Sequence, residues 1–317
     1  LHRRRHSFPT RRSSDLHSPS SDSGLAREER WLDAQIDNPV HNDFQNDVSE
    51  LGEQALAIAA PPQYNDFPAG SAYGTLLHDL FEWQLKEAWP ILQDPQSLPA
   101  ETKLRWQRWW QTQADSLQLS PEHQALCLQL IRQCAAAQLG SDQHCLSLSQ
   151  LNSQNAWPEM GFTFKTHGVS TQHMDRLICD ALHPGQTRPS LQTQQLNGLL
   201  TGFMDIVLEH QGRYYVLDYK SNKLPSYSLD KLTGSMLSHR YDVQYTLYIV
   251  AVHRLLKSRL KDYSYEQHMG GAIYLYLRGI DQEGQGVYFS RPPFELIDAL
   301  DKAFKLHSPA TEKGALA

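Results

Sequence analysis

GFMDIVLEHQGRYYVLDYKSN, residues 202–222, holds two apolar runs on either side of Gln211-Gly212. Runs of this kind, rich in β-branched and aromatic residues and parted by a glycine-bearing pair, read as two strands joined by a tight turn. The predicted strands are 199–209 and 213–220. A two-residue loop pairs His210 with Arg213 and, followed outward, Asp205 with Asp218. The two carboxylates then lie directly opposite each other on one face, with Cβ atoms ~5 Å apart. Lys220, two residues beyond Asp218, shares that face.

Like charges set among Phe203, Ile206, Val207, Val216 and Leu217 repel where the neighbours demand burial, so the pair needs a cation. Lys220 supplies one positive charge, and a divalent metal supplies more. Carboxylate oxygens suit Mg²⁺. A buried Asp–Lys ion pair at a strand end satisfies the same pattern without a metal. The triplet Glu101-Thr102-Lys103 also reads acid-x-Lys, but it follows Pro99-Ala100 at a helix start, where an early Glu is ordinary. Asp218-Tyr219-Lys220 differs in closing an apolar strand, with Asp205 thirteen residues before it.

On the N-terminal side, a helix capped by Thr75 is predicted to run to about Ala88, with Leu76, Leu77, Leu80, Phe81 and Leu85 as its apolar stripe. Further helices are expected over 100–139, with Trp106, Trp109 and Trp110 as core packing and 125–139 as an apolar helix. Residues 159–165 alternate as a strand. On the C-terminal side come a long helix over 241–260, a strand over 272–278 and a closing helix over 298–304. Helices, hairpin, helix and strand in this order imply an α/β fold with a mixed sheet flanked by helices.

The 317 residues carry 29 basic and 35 acidic side chains, a net charge of −6, which excludes a generally basic nucleic-acid coat but not a local basic groove. No stretch approaches the ~20 consecutive apolar residues of a membrane span, so no membrane role is expected. Cys127, Cys134, Cys145 and Cys179 form no CxxC pair, which leaves neither a zinc ribbon nor a thioredoxin site and favours reduced thiols in a cytoplasmic chain. The chain opens at Leu1 rather than Met. Residues 1–16 resemble the translation of a sequencing adapter and are expected to be an assembly artefact. Without them the net charge is −10. Residues 17–70 are rich in Ser, Asp, Asn and Pro and read as a linker with one short helix near 25–36. Residues 308–317 are expected to be a tail.

Four further residues stand out. His78 interrupts the apolar face of the first helix, where a satisfied core histidine is the ordinary reading. Glu159 opens a strand after Trp157-Pro158. Gln244 and Tyr248, four apart on the long helix, share a face. In order, Gly74-x-x-x-His78-x-x-Phe81-Glu82, Gly202-Phe-Met-Asp205, Leu217-Asp218-Tyr219-Lys220-Ser-Asn222, Tyr241-Asp-Val-Gln244-x-x-x-Tyr248 and Gly270-Gly-Ala-Ile-Tyr-Leu-Tyr-Leu-Arg278 occur along the chain. This ordered set resembles the C-terminal nuclease domains of RecB subunits of RecBCD (exonuclease V) complexes, members of the PD-(D/E)XK nuclease superfamily. The likeness covers about residues 65–305 and is strongest over 199–281.

The resemblance implies a restriction-endonuclease-like mixed sheet flanked by helices over 71–307, with a helical part at 90–155. It implies a Mg²⁺-dependent deoxyribonuclease that processes DNA ends in double-strand break repair and recombination. Metal ligands map to His78, Asp205, Asp218 and the backbone carbonyl of Tyr219, and the catalytic lysine to Lys220. Gln244, Tyr248 and Glu159 fall beside the site. The implied partners are DNA, the RecC and RecD subunits and the RecA recombinase. No GxxxxGK[ST] occurs, so ATP hydrolysis is not expected, and no Cys follows residue 179, which excludes the iron–sulfur cluster of some related nucleases. The rival readings are a non-catalytic module that docks on RecC or RecA, and a truncated gene fragment.

Overall fold

The computed structural model of the protein describes residues 63–93, 98–139, 146–280 and 285–306. Five strands form one sheet in sequence order: β1 (Ala156–Ser170), β2 (Gln195–His210), β3 (Arg213–Lys220), β4 (Met269–Tyr276) and β5 (Val287–Ser290). All pairings are antiparallel except β3 with β4, which is parallel. A parallel pair needs a crossover. Here the helices α5 (Leu229–Ser238), α6 (Tyr241–Arg259) and α7 (Tyr265–His268) supply it. β4 is buried along its whole length, which is why its sequence is apolar at successive positions instead of alternating.

The sheet separates two cores. On one side α4 (Thr171–Leu182), α5, α6 and α8 (Phe294–Leu306) pack on Phe164, Leu200, Met204, Val207, Val216, Tyr274 and Tyr276. On the other side α1 (Ser71–Lys86) and α3 (Pro121–Ala136) pack on Ile206, Leu208, Tyr215, Leu217, Tyr219, Ile273 and Leu275. Between them in the chain, α2 (Ala100–Ser116) buries only Ala114 fully; its half-buried Trp106 and Trp109 pack on Trp83 of α1, and half-buried Trp110 stacks on Trp106. The fold is therefore the α/β arrangement expected, a mixed sheet between helical layers.

Several boundaries differ from expectation. Helix α1 begins at Ser71 rather than after Thr75, and its N-cap is Gly70, with no side-chain cap. Helix α3 starts at Pro121 because Ser120 caps it, its Oγ accepting the His123 N–H at 3.2 Å, with Pro at the first turn. Helix α4, capped by Ser170, was not foreseen: its polar sequence buries only Thr171, Met174 and Ile178. Helix α5 and the four-residue β5 were also not foreseen. Packing also starts inside the stretch read as linker, where Tyr64 and Phe67 are buried in the α1–α3 core. The expected helix near 25–36, residues 1–16 and the tail at 308–317 lie outside the described residues. No described helix is long and apolar enough to cross a membrane.

Arg278 explains the ordering at 63–68. It is 1% exposed and spends its donors on backbone carbonyls, those of Ser221 (2.8 Å), Tyr64 (2.9 Å), Phe67 (2.5 Å) and Pro68 (2.6 Å). One guanidinium thus ties the entry to α1 to the loop that leaves Lys220. Arg278→Ala strands four carbonyls, those of Tyr64 and Phe67 buried and those of Ser221 and Pro68 part-buried, and is expected to cost about 3–5 kcal/mol. Arg278→Lys, with a single nitrogen, is expected to recover less than half of that. Urea unfolding measures both, and a loss under ~1 kcal/mol in Arg278→Ala would contradict this role.

Candidate functional site

The site forms where β2 and β3 part. Gln211 and Gly212, with φ of 52° and 78°, make the two-residue turn whose handedness suits the strand twist. The register that follows is the expected one, from His210↔Arg213 to Ile206↔Leu217. There the ladder stops, one pair short of Asp205 and Asp218. A continued ladder would send the Tyr219 N–H to the Met204 carbonyl. Instead it donates to Asp205 Oδ2 at 2.8 Å.

The cause is a shared irregularity in β1 and β2. Met204 and Val207 both face the α6 core, so Asp205 and Ile206 between them lie consecutively on the α1 side. On β1 the pairs Pro158↔Ile206 and Met160↔Met204 keep one register, while Glu159 and Asp205 drop out of pairing together. Glu159 takes a φ of 49°, uncommon for a residue with a side chain. The expectation that Asp205 and Asp218 share one face is therefore corrected. Asp205 turns toward α1, where His78 Nδ1 lies 3.4 Å from its Oδ1. Asp218 turns toward α6, where its Oδ2 lies 2.6 Å from Lys220 Nζ. The carboxylates reach the fork from its two sides.

Lys220 does share the face of Asp218, as expected. Its ammonium donates to Gln244 Oε1 at 3.3 Å and lies 4.1 Å from the ring centre of Tyr241 and 5.2 Å from that of Tyr274. Tyr274 OH donates to the same Gln244 oxygen at 2.7 Å. The two rings were not singled out in the sequence. Tyr241 was quoted only as the start of the Gln244 motif, and its place three residues before Gln244 on one helix was the available signal. Tyr248 lies one turn on from Gln244 and packs edge-on against Phe162 of β1. Glu159 is exposed, opposite Asp205 on β1 and turned to the acids of α1. Burial, then Glu82, Asp79 and Asp205, hold its carboxyl above the usual range against the pull of Lys86. His78 and Tyr219 are ring neighbours, and Tyr219 stacks on Phe81 at 4.4 Å. The structure ties Tyr219 to the site through its N–H.

An ion network fixes the start of α6 and with it Tyr241 and Gln244. Arg240 takes a left-handed φ of 58° at the N-cap. It donates to Asp242 and Asp175, and to the Pro189 carbonyl at 2.5 Å, while Arg188 pairs with Asp175 and Asp242. Both arginines and Asp242 are almost wholly buried.

Charge divides the fork unequally. Burial and the Asp205 charge, only partly offset by Lys220, push the Asp218 carboxyl up to about 6. Asp205 feels the same burial, yet His78, Lys220 and the Tyr219 N–H hold it below the usual carboxylate range. Burial alone would lower Lys220 and His78, and the acids beside them reverse it, raising both. Among the described residues, no three His, Cys, Asp or Glu side chains are already drawn together as a metal cluster. The donor chemistry still fits a divalent ion. Two carboxylates and an imidazole surround the fork, and Asp218 Oδ2 is fully buried with only the Lys220 ion pair and no aligned hydrogen bond.

Lys220→Met leaves the fork with uncompensated acid and is expected to cost about 3–5 kcal/mol, measured by unfolding in EDTA. Adding Asp218→Asn removes the repulsion and is expected to recover at least ~1 kcal/mol. Strict additivity of the two losses would contradict this electrostatic account.

A model of the PD-(D/E)XK nuclease superfamily matches residues 52–313. The chain is 37% identical over 267 residues to the RecBCD enzyme subunit RecB of Escherichia coli, covering 81% of this chain and 21% of that protein. It is 33% identical over 281 residues to the same subunit of Haemophilus influenzae, 86% of this chain and 21% of that protein. The Mycobacterium tuberculosis subunit is 32% identical over 288 residues, 78% of this chain and 25% of that protein. The chain thus spans between a fifth and a quarter of the length of these relatives.

Proposed function

Since this chain belongs to the PD-(D/E)XK nuclease superfamily, we propose that it hydrolyses phosphodiester bonds in DNA with Mg²⁺ held at the fork between β2 and β3. The observation that carries this reading is the juxtaposition of Asp205, Asp218, His78 and Lys220 around a break in the strand ladder. A docking surface has no need of a buried acid and a half-buried one beside a lysine.

In this reading His78, Asp205, Asp218 and the Tyr219 carbonyl hold the ion, and Lys220 is the catalytic lysine. Bound by these residues, a divalent ion would supply Lewis-acid chemistry toward the phosphoryl oxygens. Asp218 pairs with Lys220 through Oδ2 alone, and Gln244 with the rings of Tyr241 and Tyr274 helps keep the ammonium in place. Lys220 then orients the attacking water and offsets the charge that grows on the phosphoryl oxygens. The Asp205 carboxylate, anchored by the Tyr219 N–H, is held ready on the other side. Glu159 and Tyr248 flank these groups.

The surroundings carry little positive charge. Without residues 1–16 the net is −10, and Lys223 and Lys231 are among the exposed cations after β3. Phosphate contacts dominate DNA affinity, so this domain is proposed to bind DNA weakly and to receive strands from other parts of a RecBCD-type assembly. Its relatives' name, RecBCD enzyme subunit RecB, supports RecC and RecD as partners there; the setting proposed with them is DNA end processing in repair and recombination, in the cytoplasm.

Linear single-stranded DNA, incubated with the full chain and Mg²⁺, is expected to be cut. EDTA is expected to stop the reaction, and Asp218→Ala to slow it at least ~100-fold with the fold retained. Cleavage by Asp218→Ala at the parent rate would remove the assignment.

A further inference from the structure

Beyond the fork, one side of β1 and β2 is exposed among the described residues. Met204 is buried in the α6 core, so its neighbours Phe203 and Asp205 point to the opposite side. Asp205 is met there by His78 of α1. Phe203, two residues on and therefore ~7 Å along the strand, is 67% exposed. Leu199 on the same side is 48% exposed.

The position of the ring is built into both strands. Phe203 pairs with Gly161 of β1, and its Cε1 lies 3.2 Å from where a Cβ at 161 would stand. Next to it Phe162 pairs with Gly202, its ring 2.7 Å from the corresponding Cβ position. Each strand thus offers a glycine beneath the other's aromatic ring. Phe162 lies toward the core, against Phe164 and Tyr248. Among the described residues Phe203 has no such cover. A fully packed large aromatic stabilises a fold, and one placed this openly over a glycine gives up most of that gain. The same side carries exposed Thr163 and, across from Leu199, exposed Lys165. A ring beside an acidic, metal-suited fork, with a cation further along, is the pattern that holds an unpaired strand: the ring takes a base and the cation a phosphate.

We infer that Phe203 is the platform on which an unpaired nucleobase of the cut strand stacks, next to the phosphate held at the fork. This rests on the nuclease reading above. It makes Phe203 a substrate-positioning residue and sets a requirement for single-stranded DNA, because in a duplex both faces of a base are already stacked.

The test compares the full chain with Phe203→Ala and Phe203→Trp on single-stranded oligonucleotides. One set carries ordinary bases, and another carries an abasic residue moved one position at a time. Affinity is read by fluorescence anisotropy with Ca²⁺, and KM and kcat with Mg²⁺. Phe203→Ala is expected to weaken binding and raise KM about 5- to 150-fold, the range set by stacking of one base, with kcat changed far less. Phe203→Trp is expected to restore binding. At one abasic position the parent chain and Phe203→Ala are expected to become equal, which a merely structural role would not produce. Equal affinity and KM in the parent and Phe203→Ala on ordinary bases would overturn the inference, even where the parent cuts DNA. If the parent cuts no DNA but its anisotropy shows the Phe203 and abasic dependence, base stacking on Phe203 stands as single-strand binding alone and the nuclease reading falls.

Discussion

Two acids, Asp218 near the end of β3 and Asp205 inside β2, with too little positive charge between them, constrain the whole structure. Asp218 and Asp205 cannot both ionise in that setting without a cation nearby. The fold answers by pulling them apart. A shared irregularity at Glu159 and Asp205 swings one acid to α1, while the other stays with Lys220 on the α6 side. The carboxylates are left with unequal proton affinities, one held low by His78 and a backbone N–H and one pushed up to about 6. A pair of titratable groups driven apart in this way is common where chemistry is done.

The neighbouring layers serve this arrangement. The Arg188, Arg240, Asp175 and Asp242 network sets the first turn of α6, and that turn delivers Tyr241 and Gln244 to the Lys220 ammonium. On the far side of β3, Arg278 holds the Ser221 carbonyl together with the chain at Tyr64–Pro68, so the exit from Lys220 and the entry to α1 move as one piece. Buried charge of this kind contributes little net stability, and its role here is to fix positions.

Much of this was legible in the sequence. The turn at Gln211-Gly212 fixed β2 and β3 and their register as far as Ile206↔Leu217. The run after Gly270-Gly271 marked a strand over 272–278, and the strand found is Met269–Tyr276, buried along its length. Alternation alone could not show the face change at Asp205, because it depends on a left-handed residue, Glu159, on another strand. Helix α4 escaped because its stripe is three buried residues wide, and Tyr64 and Phe67 because their anchor, Arg278, lies more than two hundred residues away. His78 read as an ordinary core histidine by pattern, and only the family resemblance brought it to Asp205. The rings over Lys220 come from two elements, so no single stretch of sequence announced them.

The central claim is that the fork at Asp205 and Asp218 is a divalent-cation site. Titrating the full chain with Mn²⁺ and following the free ion by electron paramagnetic resonance tests it most directly. The account predicts one saturable site per chain, displaced by Mg²⁺ and lost in Asp205→Asn and in Asp218→Asn. Saturable binding that survives both substitutions, or none in the folded parent chain, would contradict it.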